Sequence, residues 1–121
     1  MARSTLSPLE RRWLADPPAS LARIATVDAK GMPHVVPSGW TFDPETDQIV
    51  LGGRDVARTR RAAHVRSTGR AAVVIDGLAP GERWSPWAFI VRGQAQVDET
   101  ANAVRVSCDE VTSWGLDLDW A

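Results

Sequence analysis

The chain has no tyrosine, one cysteine, two phenylalanines and, among 14 basic residues, a single lysine, Lys30. A lone cysteine, Cys108, excludes an intrachain disulfide and a cysteine-based zinc site, and two isolated histidines, His34 and His64, give a metal no anchor. No apolar run approaches the roughly 20 residues that span a bilayer. The first residues also lack the apolar core of a secretory leader, so a cytoplasmic protein with no membrane association is expected. With 14 Lys+Arg against 15 Asp+Glu and a pI near 6.1, a generally basic nucleic-acid binder is not expected. Internal repeats and low-complexity tracts are missing. At 121 residues the length suits one domain over 1–121, with a helix and linker at 1–18 and an acidic tail at 116–121.

What is there is an uneven distribution of charge. From Arg54 to Arg70 six arginines face one acid, whereas the remainder holds eight basic residues against fourteen acidic ones. The segment Leu51 to Arg70, LGGRDVARTRRAAHVRSTGR, opens with two glycines. Asp55 follows as an N-cap, and then a short helix with Val56, Thr59, Ala62 and Ala63 on its packing side. Arg58 and Arg61 point the other way and Arg60 lies on the flank. Glycines ahead of a helix N-terminus with arginines in its first turns suit a phosphate group. The plainer reading of Arg54, Arg58, Arg60 and Arg61 is a solvated helix face.

Around this segment the pattern is mostly β. Ser7-Pro8-Leu9-Glu10 reads as a capping box opening a short lid or packing helix, with Leu9 and Trp13 on one face and Asp16-Pro17-Pro18 ending it. Leu21 to Val27 is a strand, followed by a turn at Asp28 to Gly31. Met32 to Phe42 is a second strand, at a sheet edge or bulged near Pro37-Ser38-Gly39, because Pro33 and Pro37 cannot donate ladder hydrogen bonds. After a turn at Asp43 to Asp47, Gln48 to Leu51 completes a three-stranded meander. Gly69-Arg70 ends the basic helix. Arg70 to Ile75 reads as a strand buried on both faces, Asp76 to Ser85 as a loop, and Pro86 to Val97 as a long strand bending at Gly93. Ala103 to Ser107 and Val111 to Trp114 are two short last strands. About seven strands, with a helix between the third and fourth, predict a small antiparallel barrel. Such a barrel fills its own interior, so a ligand must sit outside it or at a dimer interface.

The runs LARIATVDAKGMPHVVPSGWTFDPETDQIVLGG, RTRRAAHVRSTGRAAVVIDGL, WSPWAFIVRGQAQV and VTSWGLD together resemble the pyridoxamine 5′-phosphate oxidase-like superfamily. More narrowly they resemble its flavin/deazaflavin oxidoreductases that use coenzyme F420. The resemblance covers Leu21 to Asp117. It implies a split β-barrel of the FMN-binding type, a homodimer with cofactor clefts between subunits, and a small-molecule substrate. It also implies a flavin-like ring near Val36, Pro37, Ser38 and Gly39. Leu51, Gly52, Gly53 and Arg54 would border the coenzyme's tail, and Arg58, Thr59, Arg60 and Arg61 would hold phosphate. Trp84 and Trp87 match an aromatic segment that the partner subunit brings toward the ring. Trp114 and Gly115 match a late motif assigned to packing or the cleft wall. Two features depart from the family: the segment between Val97 and Val104 is short, and arginine stands at 60 and 61 where lysine is frequent. Nothing in the C-terminal residues matches true pyridoxamine-phosphate oxidases.

The resulting expectation is an F420-dependent oxidoreductase, with an FMN-dependent relative as the alternative. A non-enzymatic barrel binding a cofactor or single-stranded nucleic acid is the reading from a different class. His34 is read as a surface or interface residue and His64 as part of the basic helix, with anion contact as its minority reading. No serine, histidine and acid arrangement stands out, and none is needed where a cofactor carries the chemistry.

Overall fold

The computed structural model describes residues 2–117. The acidic tail expected over 116–121 therefore lies, for its last four residues, outside the described part. Eight strands and two helices follow in the order α1 (Pro8–Ala15), β1 (Ala22–Val27), β2 (Pro33–Ser38), β3 (Trp40–Asp43), β4 (Gln48–Gly52), α2 (Arg60–Thr68), β5 (Arg70–Leu78), β6 (Pro86–Asp98), β7 (Ala103–Ser107) and β8 (Glu110–Trp114). A single 3-10 turn, Val56–Arg58, precedes α2. No described helix is long and apolar enough to cross a membrane.

Hydrogen-bonded neighbours run β2-β1-β5-β6-β7-β4-β3, with β8 on the far side of β6. Every pairing is antiparallel. The two ends of this path, β2 and β3, are joined in the chain by one residue, Gly39, so the path returns on itself as a split barrel. That overturns the three-stranded meander. The expected single strand Met32 to Phe42 is two strands, β2 pairing with β1 and β3 with β4. The prolines explain half of this, since β2 pairs on one side only and Pro33 and Pro37 have no N–H for a second neighbour. The strand count is eight rather than seven, and α2 enters after the fourth.

Gly93 does in β6 what Gly39 does between β2 and β3. Residues up to Arg92 pair with β8, while Ala95 to Asp98 pair with β7. A Cβ on Gly93 would lie 2.0 Å from the Ser107 carbonyl oxygen. The bend expected there is real, and only glycine lets β6 pass so close to β7.

Strand β5 extends to Leu78, taking Asp76–Leu78 out of the expected loop. Its alternate residues Ala71, Val73 and Ile75 are buried, whereas Ala72 and Val74 are only half-buried, so one face rather than two is in the core. The core is filled by Ile24, Ile49, Leu51, Val73, Ile75, Phe89, Val91, Val104, Val106 and Val111. Trp13 closes it, with ring centroids 5.9 Å from Trp40, 5.4 Å from Trp87 and 5.7 Å from Phe89. Burying each such side chain stabilises the fold by about 2–3 kcal/mol. Helix α1 is thus a packing helix and not a lid.

What locks α1 in place is Glu10. The predicted capping box is formed, Ser7 Oγ accepting from the Glu10 amide and the Glu10 carboxylate from the Ser7 amide. That same carboxylate is fully buried. It accepts from Arg3 at 2.9 and 2.5 Å and from the Ser113 hydroxyl at 2.5 Å. Burial alone would raise its pKa, but the bonds from Arg3, Ser113 and Ser7 outweigh it and hold the carboxyl down at about 2. A folded value below the unfolded one means the contribution is whole above about pH 4.5 and is lost as pH falls toward 2. Glu10→Ala is expected to cost about 3 kcal/mol at neutral pH. In urea titrations at pH 7 and pH 3, the wild type should lose more stability on acidification than the variant does.

Candidate functional site

Most of the predicted site residues fall where β2 and β4 end and α2 begins. The buried Ser38 hydroxyl bonds to the Gly52 carbonyl at 2.9 Å, setting the Pro37-Ser38-Gly39 corner against the Gly52-Gly53 end of β4. Val36 packs inward on the core, and Pro37 and Gly39 are exposed.

Beyond Gly53 the chain is held by Asn102, which sequence reasoning missed. Asn102 Nδ2 donates to the Gly53 carbonyl at 2.7 Å and its Oδ1 accepts from the Val56 amide at 2.9 Å. Asp55 does not cap, because an N-cap needs extended backbone to aim its side chain at the second or third amide. Asp55 sits in the left-handed region at φ 47 with no side-chain cap bond. The helix starts four residues later than expected, at N-cap Thr59, whose Oγ1 accepts from the Ala62 amide at 3.2 Å and donates to the Val56 carbonyl at 2.7 Å. Gly69, at φ 69, closes α2 as predicted. The packing side of α2 is Ala62 and Val65, and Ala63 is exposed.

Six of the thirteen arginines are paired with acids. Arg3, Arg11, Arg23, Arg66, Arg92 and Arg105 each pair with a carboxylate. Arg66 also donates to the Ala57 carbonyl at 2.8 Å, which ties the 3-10 turn to α2. Arg54, Arg58 and Arg60 are exposed and make no ion pair among the described residues. Arg61 does not point to solvent as the helical wheel suggests. A Cβ on Gly53 would lie 2.6 Å from one of its terminal nitrogens, so the guanidinium rests on the glycine. Its Nε is buried without a hydrogen-bond partner. A buried donor of a permanently charged group left unpaired costs about 1–3 kcal/mol. Here it belongs to the first turn of the nine-residue helix α2, in a segment that also carries the unpaired Arg54, Arg58 and Arg60. The arrangement can accept a phosphate or carboxylate group.

The remaining titratable groups offer no chemistry of their own. His64 Nδ1 lies 2.9 Å from Thr26 Oγ1 and its ring stands edge-on to His34 at 5.4 Å, so it faces β1 and β2 and serves packing. Burial, with Asp47 and Asp109 nearby, pushes the Cys108 thiol up to about 12, which leaves it inert at neutral pH. No cluster of three or more metal-ligating side chains exists among the described residues.

No family model matches this sequence. It is 30% identical over 107 residues to the 5a,11a-dehydrotetracycline/5a,11a-dehydrooxytetracycline reductase of Streptomyces rimosus, covering 80% of this chain and 75% of that one. Among solved structures it is similar to a FAD-binding protein of Mesorhizobium loti, with TM-score 0.66, 16% identity and 93% and 95% of the two chains covered. It is also similar to a candidate pyridoxamine 5′-phosphate oxidase of Lactobacillus delbrueckii, with TM-score 0.62, 21% identity and 91% and 95% covered. The chain belongs to the pyridoxamine 5′-phosphate oxidase-like superfamily. Its split barrel, interrupted by one helix, is that superfamily's fold.

Within this superfamily member, three residues predicted for the site stand differently from the rest. Leu51 is fully buried in the core, so only its backbone can border a ligand. Trp87 is also in the core, against Trp13. Trp84 is 79% exposed and lines a separate cleft with Trp114. The loop geometry at Gly53 is testable without a ligand. Asn102 has φ 53, so Asn102→Gly keeps the backbone and removes only the side chain. Losing its two bonds is expected to cost about 1–3 kcal/mol and to speed exchange of the Val56 amide in native-state hydrogen exchange. Unchanged exchange at Val56 would sink this role for Asn102.

Proposed function

We propose that the protein is an oxidoreductase that holds a flavin-type coenzyme, specifically F420, in a cleft between the subunits of a homodimer and reduces a small conjugated substrate. The observation that carries this reading is the set of four adjacent arginines without partners, one with a buried orphan donor, in a protein that pairs six of its other arginines. The kinship with a reductase supports the reaction class.

The residues fit such a coenzyme. Arg61 and Gly53 offer a donor and room beside it, Arg58 and Arg60 flank the N-terminus of α2, and Thr59 fixes that terminus. With Arg54 they supply more positive charge than one phosphate requires, which suits a coenzyme carrying a phosphate and an acidic tail. Gly52 and the Leu51 backbone would border that tail. Val36, Pro37, Ser38 and Gly39 would back the ring, because the bond from Ser38 to Gly52 ties the corner to the strand end that leads into the arginine segment. Trp84, with Trp87 behind it, would be offered to the ring across the dimer. When bound, F420 supplies hydride chemistry at C5 of its ring. The protein's share is to grip the charged tail, orient the ring against the rigid corner and exclude water on one side.

Support for the dimer comes from the outward face of β1, β2, β5, β6 and β8. Val35 (63% exposed), Leu78 (53%), Trp84 (79%) and Trp114 (51%) are solvated there in one chain. Exposed apolar surface of this kind marks an interaction face.

An FMN-dependent enzyme would use the same phosphate contacts, so F420 and FMN titrated side by side by fluorescence decide between them. Saturable F420 binding with weaker FMN binding is the expected result, and no saturable binding of either at micromolar protein overturns the proposal. Arg58→Ala with Arg60→Ala should weaken coenzyme binding by about 2–4 kcal/mol. An unchanged affinity in the folded double variant would return these arginines to a solvated face.

A further inference from the structure

Between β4 and α2 the chain carries Arg54 and Arg58 on backbone that belongs to neither a strand nor an α-helix. Such a stretch has no ladder bonds of its own, and its pose is left to whatever takes its free amides and carbonyls. Here one turn takes them. Because β7 pairs with β4 in a register that sets Ala103 opposite Gly52, the short β6–β7 turn, residues 99–102, stands beside the exit from β4. Asn102 holds both feet of the loop that carries Arg54, the Gly53 carbonyl at 2.7 Å and the Val56 amide at 2.9 Å. Glu99 acts through Arg66 of α2. One terminal nitrogen of that arginine meets Glu99 at 3.2 Å, and the other donates to the Ala57 carbonyl at 2.8 Å, next to Arg58. The turn is itself braced. The Asp98 carboxylate accepts from the Ala101 amide at 3.0 Å and from Arg105 at 2.7 Å, and the Glu99 carbonyl accepts from the Asn102 amide at 3.2 Å.

We propose that the β6–β7 turn is a clamp that poses the anion-binding segment in advance, with Asn102, Glu99 and Arg66 as positioning residues for Arg54 and Arg58. The proposal rests on the coenzyme reading for the identity of the anion, and on these hydrogen bonds for the clamp. An unbraced segment must be ordered when its ligand binds, and that ordering subtracts from affinity. The clamped segment is ordered by the fold. Arg66 differs from the four unpaired arginines in that both its terminal nitrogens are used within the chain. Its pair with Glu99 is exposed, at 46% and 74%, and pairs of that kind add little to stability. The effect of the pair is therefore read in binding and not in folding. Removing a carboxylate near an anion site strengthens binding by Coulomb's law alone, whereas releasing a clamp weakens it. Charge and clamp thus predict opposite signs at Glu99.

The test uses the full chain at fixed ionic strength, with F420, FMN and inorganic pyrophosphate as separate anions in titration calorimetry. Glu99→Ala is expected to weaken binding by about threefold, with an unmoved urea midpoint, and Glu99→Gln, which keeps an oxygen for Arg66, to bind as the wild type does. Arg66→Lys keeps the charge but not the two-pronged donor, and should weaken binding by about tenfold. It should also speed exchange of the Arg58 and Thr59 amides, which bond to the Asp55 and Val56 carbonyls. In an Arg58→Ala background most of the Arg66→Lys effect should vanish, because it acts through residue 58. Unchanged or tighter binding by Glu99→Ala, or Glu99→Gln no better than Glu99→Ala, overturns the proposal. So does an Arg66→Lys effect undiminished by Arg58→Ala, because Arg66 would then touch the anion itself, and so does the absence of saturable binding of all three anions. Pyrophosphate binding that follows the variants while neither coenzyme binds upholds the clamp and sinks the coenzyme reading.

Discussion

One hydrogen bond sets the geometry on which the site depends, that from the Ser38 hydroxyl to the Gly52 carbonyl. It lies where the chain leaves one edge of the sheet path and joins the other, so it fastens the closing seam of the barrel. A seam closed by backbone continuity at Gly39 has no ladder hydrogen bonds of its own to fix how near its two sides come. Ser38 supplies that distance. With the corner fixed to β4, the Gly52-Gly53 exit points one way, Asn102 grips it from the β6–β7 turn, and α2 starts where Thr59 can cap it. The first two links join groups distant in sequence, and with the local Thr59 cap they place Arg61 over Gly53.

The charge distribution gains its meaning from this frame. Six arginines are used within the fold, with carboxylates at 2.5–3.2 Å. Surface pairs of this sort contribute under about 1 kcal/mol each, so most of them tune the fold and do not make it. Glu10 is the exception, because its carboxylate has left water entirely and would be costly without Arg3 and Ser113. Arg54, Arg58, Arg60 and Arg61 follow the opposite rule. They are packed or posed by backbone, with their charge unanswered. Arg12, Arg70 and Arg83 also lack an ion pair among the described residues, but they are scattered along the chain, whereas these four fall within eight residues.

The local signals in the sequence were read correctly where neighbours alone decide the outcome. The capping box at Ser7 and Glu10, the positive-φ glycines at 31 and 69, and the bend at Gly93 all depend on residues close in sequence or on a steric limit that only glycine relieves. Misreadings arose where a distant partner decides. Asp55 is a good cap by type, but the exit from β4, held by Asn102 46 residues beyond Val56, puts Asp55 in the left-handed region, where it makes no cap bond. The single strand over Met32 to Phe42 splits because its two halves pair at opposite ends of the path, which alternation within eleven residues cannot reveal. Arg61 lies on the solvent side of an ideal wheel, yet the space above Gly53 draws it inward. The arginine cluster itself was legible from composition. Trp87 was open to a better reading, since it alternates with Phe89 and Val91 on the inward side of β6.

A filled barrel forces ligands outside, and the fold answers with two surfaces built from different parts. The charged one uses the β2–β3 corner, the end of β4 and the start of α2, all braced by Ser38, Asn102 and Thr59. The apolar one uses β5, β6 and β8 and the loop that carries Trp84. No residue that braces the first surface lines the second. Side chains such as Leu78, Ile90 and Trp114 can therefore change without disturbing the seam, the glycine exit or the arginines. Such a division leaves the braced corner and the apolar face open to change independently of one another.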